Sequence, residues 1–246
     1  MFNRAAMKQQ AQQINKSAKV NVYGFSLLFL VITLALTALD TLVTGGEVQE
    51  LMDYYQTLGI ELPPLPTLPL PATAAAFVGI AATLLSRVLQ CGYYTYHLGI
   101  YHRRRMDLIT LFDGFIFVGK IILLGLVENL FITLWSLLFV FPGFIAIYRY
   151  RFAFYNLCSD PEMGVMEALR LSCQQTRGCK WSLFVLDLSF LGWGLLSVLT
   201  AGILNIWLLP YRIQTDICCY HAISEAKQIP VPGEDIFRAS EDTPDF

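Results

Sequence analysis

Charged residues are scarce in this chain of 246 residues: they make up 15% of it, whereas hydrophobic residues make up 55%. A soluble globular domain has roughly 25% charged and 45–50% apolar residues. The scarcity argues against an ordinary soluble domain, and the formal net charge of −2 gives no reason to expect nucleic acid as a partner. Long stretches without charge are instead typical of membrane spans, because lipid-facing surface does not accommodate charge readily.

Motifs for catalysis and metal binding are also missing. The chain has no GxxxxGK[ST] phosphate loop, no HExxH and no GxSxG, so we expect it not to be an enzyme. Its six cysteines and three histidines could form a soft-metal site, but no CxxC or HxxxH spacing supports one. We therefore predict neither a metal nor a cofactor. The cysteines fall near predicted cytoplasmic ends of spans, where thiols stay reduced and act as small apolar side chains.

Apolar segments recur along the chain, and we predict that six of them cross a membrane: 21–43, 72–98, 113–140, 144–158, 181–200 and 203–220. Basic residues precede the first segment, as in a signal peptide. Its apolar core is, however, longer than the roughly 7–15 residues of a signal peptide, and no clear cleavage site follows. The fold class predicted is therefore an all-α membrane bundle over 21–226. A basic cytoplasmic segment, 1–20, precedes the bundle, and a disordered acidic tail, 227–246, follows it.

The placement of lysine and arginine sets the predicted orientation. Their number is four in 1–20, zero in 44–71, three in 99–112, zero at Pro142-Gly143, three in 159–180, zero at Ala201-Gly202 and two after Tyr220. This alternation predicts that both termini are cytoplasmic. A single crossing over 113–158 would leave the basic residues of 159–180 outside. We therefore predict a hairpin there, with Pro142 and Gly143 as its structural turn.

Two segments between the spans have a distinctive composition. The external loop, 44–71, contains acids but no lysine or arginine, and its run LPPLPTLPLP favours extended polyproline II geometry. This run is either a stiff loop or a ligand for a proline-recognition domain. Apolar residues at spacings of three and four in 161–177 predict an amphipathic helix that lies in the membrane interface between the fourth and fifth spans. Such a helix packs on its own bundle or docks a peripheral partner.

Ionisable side chains inside the predicted spans are the strongest candidates for a functional site. Each costs on the order of 2.5–3.5 kcal/mol to insert unpaired, so we expect them to form pairs or to line a polar cavity. The candidate polar interior consists of Arg87, Glu128, Arg149, Arg151, Asp187 and Asp216. Their distances from the helix ends predict that Asp187 and Asp216 lie at similar depth. The same estimate pairs Glu128 with Arg151 or, alternatively, with Arg87.

Several blocks of residues resemble a known family. They include LFDGF at 111–115, FPGFIAIYRYRFAFY at 141–155, EALRLS at 167–172, RGCKWSLF at 177–184 and WLLPY at 207–211. Together they resemble the bacterial integral-membrane "domain of unknown function 975" family, with a looser likeness to the membrane domains of some glycerophosphodiester phosphodiesterases. The resemblance covers roughly residues 15–225. It implies a six-helix protein of bacteria and no assigned reaction, ligand or catalytic residue.

The function expected from these patterns is that of a non-enzymatic, multi-pass protein of the bacterial plasma membrane. It would bind a small solute, ion or lipid, or pass one through a polar bundle interior. The alternative is a scaffold or accessory subunit for another envelope protein. The expected partners are the lipid bilayer and either a second membrane protein or a further copy of this chain.

Overall fold

The computed structural model describes residues 3–18, 21–44, 54, 56–57, 70–104, 106–138 and 140–233. Over these ranges the chain is helical and contains no strand. The α-helices are α1 (Arg4–Ser17), α2 (Val22–Thr44), α3 (Ala72–Tyr101), α4 (Val118–Leu138), α5 (Val140–Tyr150), α6 (Ala153–Ser159), α7 (Val165–Thr176), α8 (Lys180–Leu199) and α9 (Asn205–Ala226). A 3-10 helix, Leu108–Phe117, leads into α4.

Four helical stretches of the described chain are long and apolar enough to cross a membrane: Val22–Thr44, Thr73–Tyr101, Leu108–Leu137 and Lys180–Leu199. They coincide with the predicted spans 21–43, 72–98, 113–140 and 181–200. The prediction of an all-helical membrane protein is confirmed in this coarser form. The number of six spans is not.

The other two predicted spans take a different form. Segment 144–158 is divided between α5 and α6 by a turn at Arg151 and Phe152, and the 11 residues of α5 are too few to cross roughly 30 Å of hydrocarbon alone. The segment 203–220 falls mostly within α9, which continues to Ala226 and buries polar residues along its middle. These polar residues face the bundle and lower the hydropathy of the helix.

The predicted amphipathic helix, 161–177, corresponds to α7, which begins later, at Val165. Its buried residues include Val165, Ala168 and Leu169, which join the hydrophobic core, whereas Met166 is 58% exposed. Helix α7 therefore packs on its own bundle, and its position in a membrane interface remains a prediction. Most of the predicted external loop, 44–71, and residues 234–246 of the predicted tail lie outside the described residues.

Helix α9 packs against α1, α2, α3 and α7. Large aromatic side chains fill the space around it. Phe25 stacks on Tyr96 with ring centroids 3.6 Å apart, and Phe152 meets Tyr220 edge-on at 5.4 Å. Such ring pairs stabilise the fold beyond the contribution of the apolar area that they bury.

A close backbone approach joins α3 to the 3-10 helix. A Cβ atom at Gly92 would lie 2.1 Å from the carbonyl oxygen of Leu111, so only glycine fits there. This contact fixes the 3-10 helix alongside α3, immediately before the chain turns into α4.

Candidate functional site

One arginine connects three helical elements in the bundle. Arg151, in the turn between α5 and α6, donates from Nη1 to Asp187 Oδ2 at 2.5 Å and from Nη2 to Asp187 Oδ1 at 3.0 Å. Nη2 also lies 2.7 Å from Asp216 Oδ1. Asp187 belongs to α8 and Asp216 to α9, so the three side chains form an ion triad that holds the turn against both helices.

Two further groups complete the surroundings of Asp187. The Tyr148 hydroxyl donates to Oδ2 at 3.0 Å, and Arg212 Nη2 lies 3.5 Å from Oδ1. The side chains of the triad are only 14–20% exposed. A guanidinium group presents several N–H donors in one plane and stays charged in proteins, so it suits two carboxylates and supplies no titrating proton. The triad therefore holds helices together, and its arginine does not release a proton near neutral pH.

The other predicted interior charges lie away from the triad. Arg149 donates to Cys173 Sγ on α7 at 3.1 Å, and the exposed Arg87 reaches Gln90 Oε1 at 3.5 Å. Glu128, half-buried on α4, forms no ion pair with any described residue. The expected pairing of Glu128 with Arg151 is wrong.

The reason is the turn that follows Tyr150. The estimate of depth assumed one continuous helix from Gly143 onward, and the turn directs Arg151 toward α8 and α9 instead.

Pro142 and Gly143, predicted as the structural turn, lie inside the first turn of α5. Proline is tolerated at that position because the first amides of a helix have no partner within it. A Cβ at Gly143 would lie 2.0 Å from Ser136 Oγ and 2.8 Å from Ser136 Cα on α4. Gly143 therefore permits close packing of α5 against α4.

A buried amide network was not predicted from the sequence. Asn156 of α6 and Gln175 of α7 exchange hydrogen bonds of 3.0 and 3.1 Å. Gln175 also donates to Ser224 at 3.3 Å, and the Tyr220 hydroxyl donates to Asn156 at 2.8 Å. All four side chains are fully buried. The available signal was an amide side chain on each of the two helices, but pairing them requires the tertiary arrangement.

Lys227, just after α9, binds the C-terminal end of α7. Its ammonium donates to the carbonyl oxygens of Gln174 at 3.1 Å, Gln175 at 2.6 Å and Arg177 at 2.5 Å. The last carbonyls of a helix lack amide partners and carry partial negative charge, so a cation is favoured there.

His221, near the end of α9 and beyond the predicted sixth span, stacks on Tyr101 with ring centroids 4.1 Å apart. Burial, and secondarily the neighbouring His102, lowers the pKa of His221 to about 3. The ring is therefore neutral at physiological pH. Among the residues that the structure describes, no group of three or more histidine, cysteine or acidic side chains is arranged to hold a metal ion.

A basic pocket of about 700 Å³ opens between α1 and the end of α3. Its polar lining combines two guanidinium groups with neutral amide and hydroxyl groups, and none of its lining residues is acidic. The lining residues are Gln10, Gln13, Ile14, Ser17, Ala18, Ile100, Tyr101, Arg103 and Arg104. The sequence predicted the arginines as a topology signal only, not as part of a pocket.

Residues 140–227 match the family described as "Protein of unknown function (DUF975)". The matched region runs from α5 to the end of α9 and contains the ion triad. The resemblance to this family is thus confirmed over these residues. Comparisons with curated proteins and with solved structures find no match.

Proposed function

For a membrane protein that shares α5 to α9 with a family of unknown function, we propose a non-enzymatic role in binding a phosphate-bearing anion. The ligand is in the first place the headgroup of an anionic lipid. The observation that carries this proposal is the basic pocket, in which Arg103 and Arg104 meet the polar side chains of α1. Basic pockets between membrane helices are suited to phosphate headgroups.

The turn after α3 brings both arginines to the pocket. The Arg104 amide donates to the carbonyl of Gly99 at 2.9 Å, and the Arg103 amide donates to that of Ile100 at 3.0 Å. Arg103 has a left-handed backbone with φ of 57°. Helix α1 adds Gln10, Gln13 and Ser17, spaced along one face of α1, as neutral hydrogen-bonding groups. Two planar guanidinium groups beside such groups match the oxygens of a phosphate.

The ion triad favours binding over passage. Arg151 is occupied by Asp187 and Asp216, so its charge is balanced within the bundle and is not directed at a passing solute. The exposed cation of the basic pocket, Arg103, lies instead at the end of α3.

The proposal includes the finer location: the bacterial plasma membrane, with both termini in the cytoplasm. The supporting observation is the alternation of basic residues along the sequence. In this orientation the basic pocket faces the cytoplasmic leaflet, whose anionic lipids attract basic groups.

The test uses the full chain in nanodiscs of zwitterionic lipid doped with phosphatidylglycerol, with bound lipid measured by native mass spectrometry. We expect Arg103→Gln to weaken retention of phosphatidylglycerol about tenfold, which corresponds to the loss of a charged hydrogen bond. Arg177→Gln is the matched control, because it removes the same charge from an exposed arginine that lies outside the pocket. Equal retention by both variants would contradict the proposal.

A second arm separates the two sources of phosphate. Free glycerol 3-phosphate should compete only weakly if the ligand is a lipid headgroup. If glycerol 3-phosphate competes at the same concentration as phosphatidylglycerol, the ligand is a soluble phosphate compound instead.

A scaffold role is the second candidate, and α7 favours it. Its outer side forms a groove of about 550 Å³ whose lining includes Met166, Glu167 and Arg170. If this surface holds a membrane-protein partner or a second copy of the chain, Met166→Lys should release that protein in crosslinking experiments. Retention of phosphatidylglycerol should be unchanged in the same variant. An unchanged crosslinking pattern would argue against docking at α7.

A further inference from the structure

The opposite flank of α1 borders a second pocket, which the proposed function does not use. This aromatic pocket has a volume of about 280 Å³. Its lining residues are Gln12, Asn15, Lys16, Tyr23, Trp193, Leu204, Trp207, Leu208 and Tyr211. We infer that it binds a single-chain amphiphile that carries an anionic group and a hydroxyl close to each other.

The walls of the aromatic pocket suit a hydrocarbon chain. Trp193 of α8 and Trp207 of α9 are 49% and 52% exposed, so the indole faces are available to a ligand. Tyr211 and two leucines continue the apolar surface. A volume of this size is at the lower end of small-molecule pockets, which favours one chain over two.

Asn15 supplies an unused acceptor next to these walls. The residue is 7% exposed, and its Nδ2 donates to the carbonyl oxygen of Pro210 at 3.1 Å. This bond fixes the amide orientation and leaves Oδ1, which has no hydrogen-bond partner within the described part of the chain. Buried acceptors are nearly always paired, so the position calls for a donor. A ligand hydroxyl is such a donor.

Lys16 supplies the charge for the anionic group. It is exposed, stands in the last turn of α1 and is the neighbour of Asn15 in sequence. No lining residue of the aromatic pocket is acidic, so its ammonium is the charge that a ligand meets there. Both residues line the same pocket, so a ligand that reaches both carries its anionic group and its hydroxyl close to each other, as a monoacylglycerol phosphate does.

The aromatic and basic pockets are independent sites. They share no lining residue, because α1 presents Gln12, Asn15 and Lys16 to one and Gln10 and Gln13 to the other. Binding at either pocket can therefore fail without the other.

The test is a titration of the full chain, held in nanodiscs of two-chain zwitterionic lipid, with 1-oleoylglycerol 3-phosphate. Tryptophan fluorescence reports binding because two of the four tryptophans line the pocket. Three related probes each remove one part: oleate lacks the hydroxyl, monooleoylglycerol lacks the anion and glycerol 3-phosphate lacks the chain. We expect each of them to bind at least about tenfold more weakly. Equal affinity for all three chain-bearing probes would indicate unspecific partition into the bilayer and would overturn the inference.

Lys16→Gln should weaken binding of 1-oleoylglycerol 3-phosphate about tenfold. Arg4→Gln, on the same helix but in the lining of neither pocket, should leave it unchanged. Arg103→Gln should also leave it unchanged, which separates this site from the basic pocket. Because Lys16 and Arg4 are exposed, both variants should fold normally, as thermal unfolding can verify. Unchanged affinity in Lys16→Gln would refute the inference.

Discussion

Arg151 and Asp187 form a bidentate ion pair, with distances of 2.5 and 3.0 Å between the guanidinium nitrogens and the carboxylate oxygens. Arg151 also contacts Asp216, so one guanidinium serves two carboxylates, and only Asp187 has a further, longer contact with Arg212. Arg151→Ala should therefore lower the free energy of unfolding by about 3–5 kcal/mol, because it leaves partly buried charges uncompensated. Thermal unfolding in detergent would measure the loss.

The companion variants distinguish lost pairing from lost volume. Arg151→Met should be rescued in part when Asp187→Asn and Asp216→Asn are added, since no charge then remains unpaired. Arg149→Gln is the matched control, because that arginine contacts Cys173 and lies outside the triad. We expect it to change stability by less than about 1 kcal/mol. An equal effect of Arg149→Gln and Arg151→Ala would contradict the assignment of the triad as a structural clamp.

Gly92→Ala should separate α3 from the 3-10 helix. The added Cβ would meet backbone atoms of Leu111, including its Cα at 2.7 Å, and backbone cannot rotate away as a side chain can. We expect a loss of about 1–3 kcal/mol in the free energy of unfolding. Gly125→Ala on α4 is the control, since nothing lies within 4 Å of its added Cβ. Comparable unfolding temperatures for the two variants would show that the close approach is absent.

Gln175→Leu should destabilise the protein through the groups it leaves behind. Asn156 and Ser224 would lose buried hydrogen-bond partners, at about 1–3 kcal/mol for each unpaired group. The neighbouring Gln174 has an exposed side chain, so Gln174→Leu should be nearly neutral. Unfolding in detergent at a fixed pH compares the two. Similar stabilities would mean that the amide network contributes little.

Stability should fall as the pH falls below about 6.5 because of His221. Its pKa is about 3 in the folded chain and about 6.5 when exposed. Between these values the unfolded state binds more protons, so the free energy of unfolding rises with pH by up to about 1.4 kcal/mol per unit. The contribution is complete above pH 6.5. His221→Phe retains the stacked ring on Tyr101 and should reduce the slope between pH 4 and 6. Identical slopes in the parent and variant would contradict this prediction.

The topology can be tested through a cysteine placed in the predicted external loop. Glu50→Cys should react with a membrane-impermeant thiol reagent in intact cells, with the parent chain and its native cysteines as the control. Reaction only after the membrane is permeabilised would place the loop on the cytoplasmic side and reverse the orientation.

The sequence predicted best where a feature depends on one helix alone. Length and apolarity suffice to predict a span such as 72–98, because a helix that crosses lipid must satisfy its backbone internally and expose apolar side chains. Counting along straight helices also placed Asp187 and Asp216 at one depth, and both contact Arg151 in the structure.

Features that depend on contacts between several helices could not be predicted from the sequence in the same way. The break after Tyr150 has no proline or glycine to indicate it, so Arg151 was assigned to the wrong partner. The apolar residues of 203–220 suggested a sixth span, but the sequence could not show that Gln214 and Thr215 are fully buried inside the bundle. The two pockets beside α1 arise from residues far apart in the chain, which spacing alone cannot connect.

The contact of Lys227 with the last carbonyls of α7 makes the end of one helix depend on a residue beyond the end of another. A chain that stopped at Ala226 would keep every residue of α7 and α9 yet lose the donor for three carbonyl oxygens. During synthesis, α7 would accordingly acquire its final termination only after α9 had left the ribosome.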